Sequence, residues 1–125
     1  MPILQDRRVV ITFRVLFWLA ICLAVIMALL PKPPQLPIDR FGDKFEHILA
    51  FATLAGLGAL AYPGSRRWRV AERLSFLGAL IEVAQSIPVL HRDCDIRDWI
   101  ADTVAVVIVT AIAALISPRR APLPD

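Results

Sequence analysis

The sequence predicts an all-α fold, a four-helix transmembrane bundle with both termini cytoplasmic. Three observations lead there. Of the 125 residues, 58% are hydrophobic and the mean hydropathy is positive, above the apolar share usual in soluble domains. The charges collect between apolar runs instead of spreading along the chain. Finally, four apolar runs each approach the roughly 20 residues that a hydrocarbon core of about 30 Å requires. Residues 1–125 therefore read as a single integral membrane domain whose main solvent is lipid.

The expected spans are about 9–30, 44–62, 71–89 and 99–117. Proline and glycine punctuate the gaps: "PKPPQLPIDRFG" follows the first run, "YPGSRR" the second, and Pro88 and Pro118 mark the ends of the third and fourth. Arg7 and Arg8 ahead of the first run are also what a secretory signal carries. That run exceeds a typical signal core, however, and "PKPPQLP" offers no small-x-small cleavage site, so a retained span is expected. The arginine clusters are short and flank spans, which points away from nucleic acid and toward topology signals.

Orientation follows from lysine and arginine, which cytoplasmic loops carry in excess. Arg7, Arg8, Arg14, Arg66, Arg67, Arg69, Arg73, Arg119 and Arg120 fall on one side; Lys32, Arg40, Lys44, Arg92 and Arg97 fall on the other. The richer side, with both termini, is expected to be cytoplasmic, and the loops around 31–43 and 90–98 to lie outside. Arg14 reads as a side chain snorkelling to the interface, and Trp68 and Trp99 as interfacial aromatics at span ends. Cys22 lies within the first span and Cys94 in a loop, so depth argues against a disulfide between them.

The stretch "DKFEHILAF" (43–51) puts charge where a span begins. Asp43, His47 and Phe51 are spaced by four and share a helix face. Glu82 and Gln85 in "EVAQ" share a face near the end of the third run, and Asp98 and Asp102 share one at the start of the fourth. In an up-and-down bundle these three segments meet at the outer end. An ionisable group inside a span costs up to roughly 2.5–3.5 kcal/mol at the helix centre, less near the interface. Partners are therefore expected, with Lys44 and Arg92 as counter-ions. His47, Glu82, Asp98 and Asp102 make a loose set of metal ligands without HExxH-type spacing, so no metal or other cofactor is assigned. The small residues Ala52, Gly56, Gly58 and Ala59 are expected to allow close helix packing.

The order and spacing of these pieces resemble the VanZ-like membrane proteins. "DKFEHILAF" looks like that family's D-K-x-x-H-x-x-x-F, "EVAQ" like its E-x-x-Q, and "HRDCDIRDWIADTVA" like its closing R and D-x-x-A-[ND]-T-x-G. Asp102 stands where the family often has Asn, and Ala105 where it usually has Gly. Carried over position by position, the resemblance marks Asp43, Lys44, His47, Glu82, Gln85, Arg92, Asp98 and Asp102 as the polar set. It implies a four-span, multi-pass protein of the bacterial cytoplasmic membrane. The family takes its name from a member linked to resistance to the glycopeptide teicoplanin.

Three functional readings follow. The cluster binds a lipid or the headgroup of a lipid-linked envelope precursor, with Lys44 and Arg92 holding the anion, Glu82 and Gln85 orienting it, and His47 supplying a switchable proton. Alternatively it only fixes helix register. An enzyme with Glu82 or His47 as general base is the third; it lacks a strong nucleophile, because Cys94 is a lone loop thiol and Ser86 has no nucleophile-elbow context. Catalytic residues and oligomeric state are left open by the sequence.

Overall fold

A computed structural model describes residues 6–30, 43–62, 66–87 and 96–116. They form four helices: α1 (Arg7–Leu29), α2 (Asp43–Ala61), α3 (Arg66–Gln85) and α4 (Ile96–Ile116). The helix class and number match the sequence expectation, and the boundaries shift for local reasons. Helix α1 starts two residues early because Asp6 caps it, its carboxylate accepting from the Arg8 amide at 2.9 Å. Helix α3 starts at Arg66 and not at 71, since arginine is a good helix former and nothing in "RRWRV" breaks the helix. It stops at Gln85, ahead of Pro88, whose ring disfavours helical geometry in the residue before it. Helix α4 starts at Ile96, which places Asp98 in its first turn, where a carboxylate meets the positive end of the helix dipole.

Each helix from α2 to α4 turns one stripe inward. On α2 the stripe is Phe51, Leu54, Ala55, Gly58 and Ala61; on α3 it includes Leu74, Gly78, Ile81, Glu82 and Gln85; on α4 it is Asp98, Asp102, Ala105, Val106 and Thr110. Spacings of three and four put each set on one helical face. Helix α2 packs on all three others, and α3 also packs on α4. Phe17 is the buried residue of α1, edge-on to Trp18 and Tyr62 with ring centroids 5.5 and 6.0 Å away.

Of the four small residues expected to allow close approach on α2, Gly58 joins the buried stripe, while Ala52, Gly56 and Ala59 are half-buried. A Cβ on Gly58 would stand 2.7 Å from Val70 Cγ1 and 3.1 Å from Phe17 Cε2, so only glycine fits between α1 and α3. Glycine 56 faces nothing nearer than 3.9 Å.

Beside an apolar core that includes Phe17, Phe51, Leu54 and Val106, polar residues are buried and large apolar ones exposed. Arg67, Glu82, Gln85, Asp98, Asp102 and Thr110 are buried, whereas Leu19, Leu23, Phe76, Val83, Ile96 and Leu115 are each more than 60% exposed. Large exposed apolar side chains in this number are a feature of surfaces that meet a membrane or another protein. Helices α1 and α4 are long and apolar enough to cross a membrane, and α2 contributes a shorter apolar helix, Phe45–Ala61. Helix α3 carries Arg66, Arg67, Arg69, Glu72 and Arg73 in its first two turns. Arg67, expected in a loop, is instead a buried helical residue.

Hydrogen bonds at the two ends establish an up-and-down order. At one end Arg14 Nε of α1 donates to the Ala61 carbonyl at the close of α2 (3.0 Å), and Trp18 Nε1 donates to the Tyr62 hydroxyl (3.1 Å). At the other end Gln85 Nε2, last in α3, donates to the Ala28 carbonyl near the close of α1 (3.0 Å). Arg14 therefore does more than snorkel: it satisfies a terminal carbonyl of α2 and lies over the Tyr62 ring, 4.7 Å from its centroid.

Candidate functional site

The start of α2, the end of α3 and the start of α4 meet at the end marked by Gln85 and Ala28. At 1.5 Å per residue, His47 lies about 6 Å along α2, Asp102 about 9 Å along α4, and Glu82 about 5 Å before the end of α3. All three occupy one layer, one to two turns inside the bundle.

His47 is the hub. Its Nδ1 faces Asp102 Oδ1 at 3.4 Å and its Nε2 faces Asp98 Oδ2 at 3.9 Å. Asp98 and Asp102, four apart on α4, thus hold the imidazole from both edges. Glu82 of α3 joins them: one ligating atom each from His47, Glu82 and Asp98 all lie within 4.8 Å of one another. Exposure differs across the cluster. The side chain of Asp102 is 2% exposed, that of Asp98 10% and that of His47 16%. The His47–Asp98 edge is therefore its accessible side, and Asp102 its sealed floor.

Packing beneath the cluster explains the placement. Phe51, one turn past His47, is buried, and Gly78 of α3 faces it. A Cβ on Gly78 would stand 3.3 Å from Trp99 Cδ1, 3.4 Å from Asp102 Oδ2 and 3.5 Å from Phe51 Cζ. Glycine at 78 lets α3 approach the Asp102 carboxylate closely. Two side-chain contacts clamp α3 to α4 a turn away: Trp99 Nε1 donates to the Ser75 carbonyl at 2.9 Å, and the Ser75 and Thr103 hydroxyls share a hydrogen bond of 2.9 Å. Trp99 is thus half-buried in a helix contact as well as standing at a helix end.

Of the residues expected in the polar set, His47, Glu82, Asp98 and Asp102 are brought together. Gln85 is buried on the same helix end but spends its amide nitrogen on Ala28, with its Oε1 buried and without a hydrogen-bond partner. The side chains of Asp43 and Lys44, and all of His91, Arg92 and Cys94, lie outside the described residues. The hydroxyl of Ser86, just past the end of α3, donates to the Val83 carbonyl of that helix, which occupies it locally. Gly78 was not anticipated, although it stands four residues before Glu82 and so on the same face.

Chemically, the arrangement is an imidazole flanked by carboxylates in a largely dehydrated setting. It can hold a proton on either ring nitrogen or present oxygen and nitrogen donors to a cation. Comparison of the chain with protein-family models, with curated proteins and with solved structures found no match.

Proposed function

We propose that the chain is a four-span, VanZ-like protein of the bacterial cytoplasmic membrane, with both termini inside. In this reading the His47–Glu82–Asp98–Asp102 cluster lies toward the outer leaflet and engages the polar headgroup of a lipid or lipid-linked envelope precursor. The observation that carries it is the convergence of three helices' ionisable side chains at one end of a bundle whose flanks are apolar. Ionisable groups within apolar helices are costly and generally mark functional pathways or sites. The 16% exposure of the His47 side chain supplies the point of contact. Lys44 and Arg92, from the sequence motif, serve as the anion-holding groups.

Native mass spectrometry of the detergent-purified chain tests this. Wild type is expected to retain envelope lipids that Glu82→Gln and Arg92→Ala variants lose at unchanged melting temperature. Equal retention by folded variants would refute headgroup binding.

A second reading, that the cluster locks helix register, draws on the near-complete burial of Asp102 and Gln85 and on the Gln85–Ala28 hydrogen bond. Under it the same variants lose stability and leave lipid retention of the folded fraction untouched.

A further inference from the structure

We infer that His47, Glu82 and Asp98 form a binding site for one divalent first-row transition-metal ion, Zn²⁺ or Mn²⁺, with Asp102 positioning the imidazole. The inference goes beyond headgroup engagement and does not depend on it.

The donor atoms stand farther apart than a hydrogen-bonded pair and leave room between them for an ion. His47 Nε2 and Asp98 Oδ2 are 3.9 Å apart, too far for a hydrogen bond, which needs about 2.7–3.2 Å. Ligand atoms bound at about 2.0–2.2 Å to one tetrahedral or octahedral cation stand roughly 3–3.6 Å from each other. The three ligating atoms of His47, Glu82 and Asp98, all within 4.8 Å of one another, would draw closer together on binding an ion.

The fourth residue supplies the feature that distinguishes a metal site from a chance grouping. A ligating histidine commonly directs its second nitrogen to a carboxylate, which fixes tautomer and ring orientation. Here Nδ1 faces Asp102 Oδ1 at 3.4 Å, just beyond hydrogen-bond length, while Nε2 is turned toward Asp98. That Oδ1 is buried without a hydrogen-bond partner, so a small shift of the ring would supply the orienting bond. Asp102 itself is held in place, 1% exposed, with its Oδ2 against the close approach at Gly78. Three helices therefore each contribute one ligand, and a fourth group, Asp102 of α4, faces the first.

The donor set selects the ion class. The imidazole among two carboxylates favours a first-row transition metal over Ca²⁺ or Mg²⁺, which take oxygen ligands, and the set has no sulfur for Cu⁺. Three protein ligands leave at least one coordination position open, on the His47–Asp98 side that has solvent access. That position would accept water or an anionic oxygen such as a phosphate.

The experiment uses the full chain without a histidine tag, purified in detergent, stripped with a chelator and titrated separately with Zn²⁺, Mn²⁺ and Mg²⁺. Expected are one Zn²⁺ or Mn²⁺ per chain, a raised melting temperature with that ion, and no such effect of Mg²⁺. His47→Gln, Glu82→Gln and Asp98→Asn should abolish the stoichiometric binding. Asp102→Asn should weaken it by roughly 10- to 100-fold, as loss of an orienting partner does, with the metal-free melting temperature reporting any purely structural effect. Should these variants fail to fold, electron paramagnetic resonance of Mn²⁺ bound to a His91→Asn chain provides a second measure. Only two histidines occur in the sequence, so a nitrogen coupling there identifies His47. Absence of stoichiometric binding of either ion by wild type, or binding undiminished in folded His47, Glu82 and Asp98 variants, overturns the site.

Discussion

His47 on α2 and Asp102 on α4 face each other at 3.4 Å, Nδ1 to Oδ1, with the carboxylate almost wholly buried. The pair joins two helices that are separate in sequence, and both headgroup and metal readings need the imidazole in this orientation. A double-mutant cycle with His47→Ala and Asp102→Ala, read by thermal unfolding in detergent, is expected to give a coupling of about 1 kcal/mol or more, inside the range for residues in contact. Additive losses, within about 0.5 kcal/mol, would mean that the two side chains do not interact.

The tight contact at Gly58 predicts an asymmetry between two glycines on one helix. Replacing an interior helical glycine by alanine gains about 0.8–1 kcal/mol of helix propensity, and overpacking costs about 1–3 kcal/mol. With Val70 Cγ1 only 2.7 Å from the added methyl, Gly58→Ala should lower the melting temperature. Gly56→Ala, whose nearest neighbour is 3.9 Å away, should leave it unchanged or raise it. Equal effects would contradict the α1–α2–α3 packing described.

At the opposite end of the bundle, Arg14 and Trp18 tie α1 to the close of α2. Arg14→Leu removes a charged hydrogen bond to the Ala61 carbonyl and should cost about 1.5–3 kcal/mol. Tyr62→Phe keeps the ring beneath the guanidinium and removes only the hydroxyl that accepts from Trp18. Its loss should be smaller, about 0.5–1.5 kcal/mol. The reverse order, measured by thermal unfolding, would move the principal anchor from Arg14 to Trp18.

The two cysteines report on the membrane separately. Cys22 is an exposed free thiol on α1. In a Cys94→Ser chain reconstituted in vesicles, Cys22 is expected to resist a charged, membrane-impermeant maleimide and to react with an apolar one. Reaction with the charged reagent would put that face of α1 in water and remove the spanning assignment of the helix. In the complementary Cys22→Ser chain, Cys94 should label from outside intact cells. Labelling only after lysis would reverse the proposed orientation.

The helix count and, within the polar cluster, the grouping of His47, Glu82, Asp98 and Asp102 were legible in the chain; Gln85 turned to Ala28 instead, and the side chains of Asp43, Lys44 and Arg92 lie outside the described residues. Apolar runs of sufficient length, interrupted by proline and glycine, demand helices because a helix satisfies its own backbone hydrogen bonds. Spacings of four within "DKFEHILAF" and "IRDWIAD" put His47 in line with Phe51, and Asp98 with Asp102. The least accurate boundary was that of α3, where charged residues that can extend a helix resemble a loop in hydropathy.

What only the tertiary structure decided is how the shared faces meet. Periodicity assigns a residue to a face of its own helix, but the rotation and depth of one helix against another depend on packing. Gly78 sets the approach of α3 to Asp102, and Gly58 the approach of α2 to α1 and α3. That is why the sequence by itself put His47, Glu82, Asp98 and Asp102 at one end of the bundle, while their distances, and the turning of Gln85 to Ala28, emerged from the packed helices. His47 pairs with Asp102 on one edge and opens toward Asp98 and Glu82 on the other because close contacts hold α2, α3 and α4 in a single register.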